Sequence, residues 1–157
     1  MLDTEAGVGS RYRIERRLIC VERVAVATIA DRVRLLVSES TYAAASSPEG
    51  QSDLVFRELD LIRVKGKLQP VTIYELVGTR ERLARADSDW GARLDLFAQG
   101  RERYRERNWD EARAIFQALL DRWPEDGPAR VFAARCKDYL SEGPEADWDG
   151  VYVMTHK

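Results

Sequence analysis

Histidine is almost missing from this 157-residue chain: His156, one residue from the end, is the single one. That excludes a histidine-based catalytic triad and a histidine-rich metal cluster. Cysteine is nearly as scarce. Cys20 and Cys136 stand far apart, with neither the paired spacing of a zinc site nor a disulfide framework, so a reduced, cytoplasmic setting is expected. No apolar run approaches the ~20 residues that a transmembrane helix needs, and the start lacks a signal-peptide pattern, so no membrane segment is expected. The formal net charge of −2 gives no global positive field, which argues against a nucleic-acid partner. Gly7-Val8-Gly9 lacks the third glycine and the preceding strand of a dinucleotide loop. Lysine is rare too: only Lys65, Lys67, Lys137 and Lys157 among 25 basic residues.

What remains is enough for a folded domain. Hydrophobic residues make up 45% of the chain and charged ones 33%, so it can bury a core and stay in solution. Residues 1–33 form an aberrant or divergent N-terminal segment, in which the β-branched content of Leu18–Ile29 suggests a strand without clean alternation. Residues 34–80 read as β-rich. "RLLVSEST" is a short apolar strand whose Ser and Thr cap a small helix. "VFRELDLIRVKG" alternates at Val55, Arg57, Leu59 and Leu61, and "PVTIYELVG" alternates again, which predicts an antiparallel hairpin with its turn at Gly66–Pro70.

Residues 81–141 change character. Leu94, Phe97 and Tyr104 fall on one side of a first helix, and Ala112, Ile115, Phe116, Leu119 and Leu120 on one face of a second. Val131, Phe132 and residues 135–139 belong to a third. Asp110 is placed to cap the second helix, and Asp126 or Pro128 to open the third. The Arg101–Arg107 run alternates with Glu102 and Glu106, the pattern of a solvated helix face. Residues 142–157 form a tail without clear periodicity, in which Trp148 is either an anchor onto the helices or exposed. The fold class predicted is α+β: a short antiparallel β unit with a hairpin, then three helices.

Two resemblances sit on these elements. Gly100, Tyr104, Trp109, Ala112, Phe116 and Pro124 resemble one tetratricopeptide repeat, with small residues where helices cross and aromatics beside them. Trp109 and Phe116 are then expected to be buried between the first two helices. A generic helical hairpin has the same sizes. A single repeat buries little alone, so this one needs the third helix, the β unit or a partner. The second resemblance is carried by Arg57, Leu59, Val64, Lys65, Gly66, Lys67, Pro70, Val71, Tyr74 and Leu76. They resemble the final hairpin of class III adenylate/guanylate cyclase catalytic domains, R-x-L-x-x-x-x-V-K-G-K-x-x-P-V-x-x-Y-x-L. The later "W-D-x-A…F…P-x-D-G-P" and "W-D-G-V" stretches, with Trp109, Asp110, Ala112, Asp126, Trp148, Asp149, Gly150 and Val151, resemble the tail of bacterial sensor-linked cyclases.

The cyclase resemblance implies conversion of ATP to cyclic AMP and pyrophosphate at a dimer interface, with two magnesium or manganese ions. It implies that Lys65 binds the terminal phosphates of the substrate; Gly66 would let the turn approach them without a Cβ in the way. Taken by itself, Lys65 is equally a solvated lysine that discourages edge pairing. The family's metal aspartates and its Asn-x-x-x-Arg motif are missing: the one asparagine, Asn108, lies in the helical part. The chain therefore reads as a C-terminal cyclase fragment with no catalytic residue and no metal ligand of its own, inactive alone, with ATP a partner only in an assembled cyclase dimer. A non-catalytic module that binds a protein through its helices is the alternative, and a truncated product without a role is a third.

Overall fold

The computed structural model describes residues 35–46, 53–63, 69–86 and 89–153. The strand expected at Leu18–Ile29, Gly7–Gly9, Cys20 and His156 lie outside them. The chain runs β1 (Leu36–Ser38), α1 (Glu39–Ala45), β2 (Leu54–Arg63), β3 (Val71–Thr79), α2 (Arg80–Ala86), α3 (Trp90–Arg105), α4 (Trp109–Arg122), α5 (Gly127–Glu142) and β4 (Tyr152–Val153). The sheet order is β1-β3-β2-β4, with β3 antiparallel to both of its neighbours and β4 parallel to β2. The α+β class, the hairpin and the three successive helices are as the sequence predicts; α2 is an addition. Of the expected turn, residues 66–68 lie outside the described residues, and Gln69 and Pro70 lead directly into β3.

The alternation in β2 holds only as far as Leu59. Glu58 pairs with Tyr74 and Asp60 with Ile73, so Leu59 is an extra residue in the ladder. A bulge of this kind moves every later side chain to the opposite face. Leu59, Asp60 and Ile62 are accordingly buried, and Leu61 is only half-buried. The bulge is what turns the carboxylate of Asp60 inward.

Helix α3 buries Arg93, Phe97, Gly100, Arg101 and Tyr104, a stripe at helical spacing that contains two arginines. Arg101 is thus not part of a solvated face as the charge pattern suggests. The buried guanidinium donates to the backbone carbonyl of Glu58 at 3.3 Å and to its carboxylate at 2.8 Å. Helix α4 begins after Asn108, with Asp110 in its first turn and not at the cap. The expected cap of α5 holds: Asp126 accepts from the Ala129 amide at 3.0 Å, with proline in the first turn.

Phe116 is fully buried, and a Cβ built at Gly100 would stand 2.8 Å from its ring. The α3–α4 contact therefore requires glycine at this position. Gly100→Ala is expected to destabilise the fold by about 1–3 kcal/mol, the cost of overpacking a filled core. Urea denaturation of the single variant measures it, and a second change, Phe116→Leu, should recover part of the loss. Trp109 differs from expectation. It is half-buried and packs on Tyr104, Tyr139 and Trp148, so it meets α5 and the tail as well as α3.

Candidate functional site at the hairpin

The hairpin is fastened to the helices by charge. Arg57 and Glu75 stand opposite each other on β2 and β3, and the guanidinium gives Glu75 two hydrogen bonds, at 2.9 and 2.5 Å. Its remaining arm reaches Oδ2 of Asp126 at 2.7 Å, the same oxygen that receives Arg93 at 2.7 Å. Arg57 also lies 4.6 Å over the ring of Phe97, which places an arginine stem and plane in what is otherwise an apolar layer. Burial works to raise the pKa of Asp126, but Arg57, the Ala129 amide and Arg93 outweigh it and hold the carboxyl below its ordinary range.

Two further pairs complete the attachment. Past the bulge, Asp60 meets Arg135 of α5 at 2.6 Å, and the carboxylate outweighs burial and raises the arginine's pKa. Glu58 receives Arg101 and Arg105 of α3, each at 2.8 Å; these outweigh a burial effect that would raise its pKa and hold it low. On the face opposite to Arg57 and Glu75, Tyr42 of α1 stacks on Tyr74 at 4.2 Å and meets Phe56 edge-on at 5.2 Å. The carboxylates of the hairpin are thus all engaged by guanidinium groups. Among the described residues no group of three or more His, Cys, Asp or Glu could hold a metal ion. Cys136 is fully buried, and burial pushes its thiol up to about 12.

Lys65, Gly66 and Lys67 lie outside the described residues, in the connection between Arg63 and Val71. What is described is the ground they stand on. At this end of the hairpin the C-terminal tail comes alongside β2, with Tyr152 opposite Ile62 and Val153 opposite Arg63. Asp149 accepts from Arg63 at 2.8 Å and from the Val151 amide at 3.1 Å, and Gly150 makes the turn with φ 88°. Val151 is buried, Arg135 sits 3.5 Å over the ring of Tyr152, and Trp148 packs among Tyr104, Trp109 and Tyr139. Of the two alternatives for Trp148, the structure has the anchor. Sequence reasoning missed the strand because two residues give no periodicity; the signal was Asp-Gly followed by Val-Tyr-Val.

Among the described residues no helix is long and apolar enough to cross a membrane. No protein-family model matches the chain, and no solved structure matches it. It is similar to a terminal-differentiation-specific adenylate cyclase of Dictyostelium discoideum, with 29% identity over 106 residues. The match covers 66% of this chain and 5% of the length of that protein. A continuous stretch of that share of 157 residues takes in the β2–β3 hairpin wherever it begins. Around the hairpin, therefore, the chain is related to an adenylate cyclase.

Proposed function

We propose that this chain supplies the closing hairpin of a class III cyclase catalytic domain together with a tetratricopeptide-like helical support. In this reading Lys65 contacts the terminal phosphates of ATP in an assembled cyclase dimer. The observation that carries the proposal is the similarity to an adenylate cyclase across the hairpin. In the reaction, the ribose 3′-oxygen attacks the α-phosphorus and pyrophosphate leaves, so negative charge grows on the leaving phosphates. A lysine ammonium beside them stabilises that charge, and does so best from a backbone that does not reorganise. The anchoring of β2 and β3 to α3 and α5 meets that requirement. The carboxylates described here do not suit a pair of metal ions, since guanidinium groups already occupy them; ions for the reaction would be held by carboxylates of the rest of the catalytic assembly.

The chain by itself is expected to make no cyclic AMP from ATP with magnesium or manganese. To test Lys65, residues 34–157 replace the matching end of an active bacterial cyclase that supplies the aspartates and the Asn/Arg pair. That chimera should be active. Lys65→Ala should lower its kcat/KM about tenfold or more, equivalent to ~1.4 kcal/mol of transition-state stabilisation, and Lys67→Ala should do less. An unchanged rate in Lys65→Ala removes the phosphate role. A second reading, a protein-binding module, draws on an open concavity of about 480 Å³ along α3, lined by Asp95, Gln99, Glu102, Arg105 and Glu106 among others. Full activity of the Lys65→Ala chimera would favour it.

A further inference from the structure

We infer that Tyr104 and Trp148 form a buried hydration site, in which one ordered water joins the phenol of α3 to the indole of the C-terminal tail. The inference is independent of the role of Lys65. Two polar atoms carry it. The Tyr104 hydroxyl and Trp148 Nε1 are both shielded from solvent, and neither has a hydrogen-bond partner within the protein. Buried tyrosine and tryptophan normally bond their polar ends, because an unpaired group loses its hydration without replacement. Among the described residues these are the two unpartnered buried side-chain polar atoms, and both lie in one aromatic cluster.

The chemistry of the two atoms fits a water. Trp148 Nε1 can only donate, so its partner must accept. Tyr104 is 2% exposed, and burial raises its pKa, so the phenol keeps its proton and can both donate and accept. A water accepts from the indole and either gives a hydrogen to Tyr104 or takes one from it. The two rings meet edge-to-face at 5.6 Å, and the half-buried Tyr139 completes a triangle, 5.6 Å from Trp148 and 5.8 Å from Tyr104. Tyr139 acts electrostatically on the Tyr104 hydroxyl without satisfying it, so a third polar group stands beside the pair. A buried water needs two to four such partners. Arg107 lies 5.7 Å over the indole and donates to the Trp148 carbonyl, which fixes both ring and backbone of the tail at the site.

High-resolution diffraction from the complete chain tests the site directly. An oxygen peak within hydrogen-bond distance of both the Tyr104 hydroxyl and Trp148 Nε1 is expected. Tyr104→Phe keeps the ring and removes one partner of the water. It should lower the folding equilibrium constant about fivefold or more, read from urea denaturation of the complete chain. Trp148→Phe should then cost less in the Tyr104→Phe background than in the parent, because the shared water is already lost. Absence of the oxygen peak overturns the inference. So does a Tyr104→Phe variant as stable as the parent or more so, since removing a bare buried hydroxyl relieves its desolvation. Strictly additive losses overturn it as well: the phenol and the indole would then be satisfied separately, the indole by an N–H contact to a ring face.

Discussion

Asp126→Ala should remove about 3–5 kcal/mol of stability, the scale for taking one partner out of a buried ion pair. Its carboxylate is the meeting point of Arg57, Arg93 and the first turn of α5. Alanine would leave Arg93 with only the more exposed Glu125 as an ion-pair partner and would strip Arg57 of its ion pair to the helices, while Glu75 keeps its hold. Small domains have only 5–15 kcal/mol in hand, so urea denaturation of this variant should begin close to zero denaturant. Asp126→Asn separates the two roles. Its amide oxygen can still accept from Ala129, which keeps the capping contribution of about 1 kcal/mol, but the charge is gone.

The same site fixes the acid side of the stability profile. Asp126 and Glu58 both sit below the ordinary carboxylate range when folded. Groups depressed in this way contribute fully above the unfolded pKa, near 4, and lose their contribution as pH falls through the folded one. The urea midpoint should therefore hold steady from neutral pH down to about 5 and then drop, and Asp126→Asn should flatten that drop. A loss below about 1 kcal/mol for Asp126→Ala, the range of surface changes, would mean that the charge network does not bind hairpin to helices.

Phe116→Ala should be about as severe, at roughly 3–5 kcal/mol, through lost transfer free energy and the cavity left behind. Its ring fills the space over Gly100 and meets Phe97 at 5.6 Å and Phe132 at 5.2 Å, so α3, α4 and α5 all lose contacts at once. The surroundings cannot close the gap easily, because glycine has no side chain to extend into it. Phe116→Leu should cost less, and the difference between the two variants measures the cavity contribution. A change below about 1 kcal/mol for the alanine variant would show that the three helices are not packed around this ring.

Helical spacing, the hairpin and the Asp126 cap were readable in the residues because each depends on local chemistry: a period, a turn, an acceptor in the right place. Three features were not. The bulge at Leu59 reverses an alternation without any glycine to announce it. The buried arginines of α3 look like surface charge, since nothing in a local window shows that Glu58 and Asp126 wait for them across the fold. The β4 strand is too short to have a period and forms only because the hairpin presents an edge. Of the site, the sequence singled out Lys65 by resemblance, and the structure adds the residues on either side of its loop: Arg63 with the tail beside it, and Val71 at the start of β3.

The hydrogen bond from Arg101 to the Glu58 carbonyl also bears on how this protein behaves in a crowded solution. Among the described residues, β4 covers the outer side of β2 only at Ile62 and Arg63. Farther back, an arginine side chain from α3 takes a carbonyl that another chain's strand would otherwise use. This guanidinium gives the backbone one hydrogen bond and no continuing ladder, so it ends the sheet where a peptide would prolong it. Exposing that row by Arg101→Met, which keeps the apolar stem and removes the donors, would turn β2 into a template for self-association. The protein would then fail first by sticking to its own copies, at a concentration where the parent stays monodisperse.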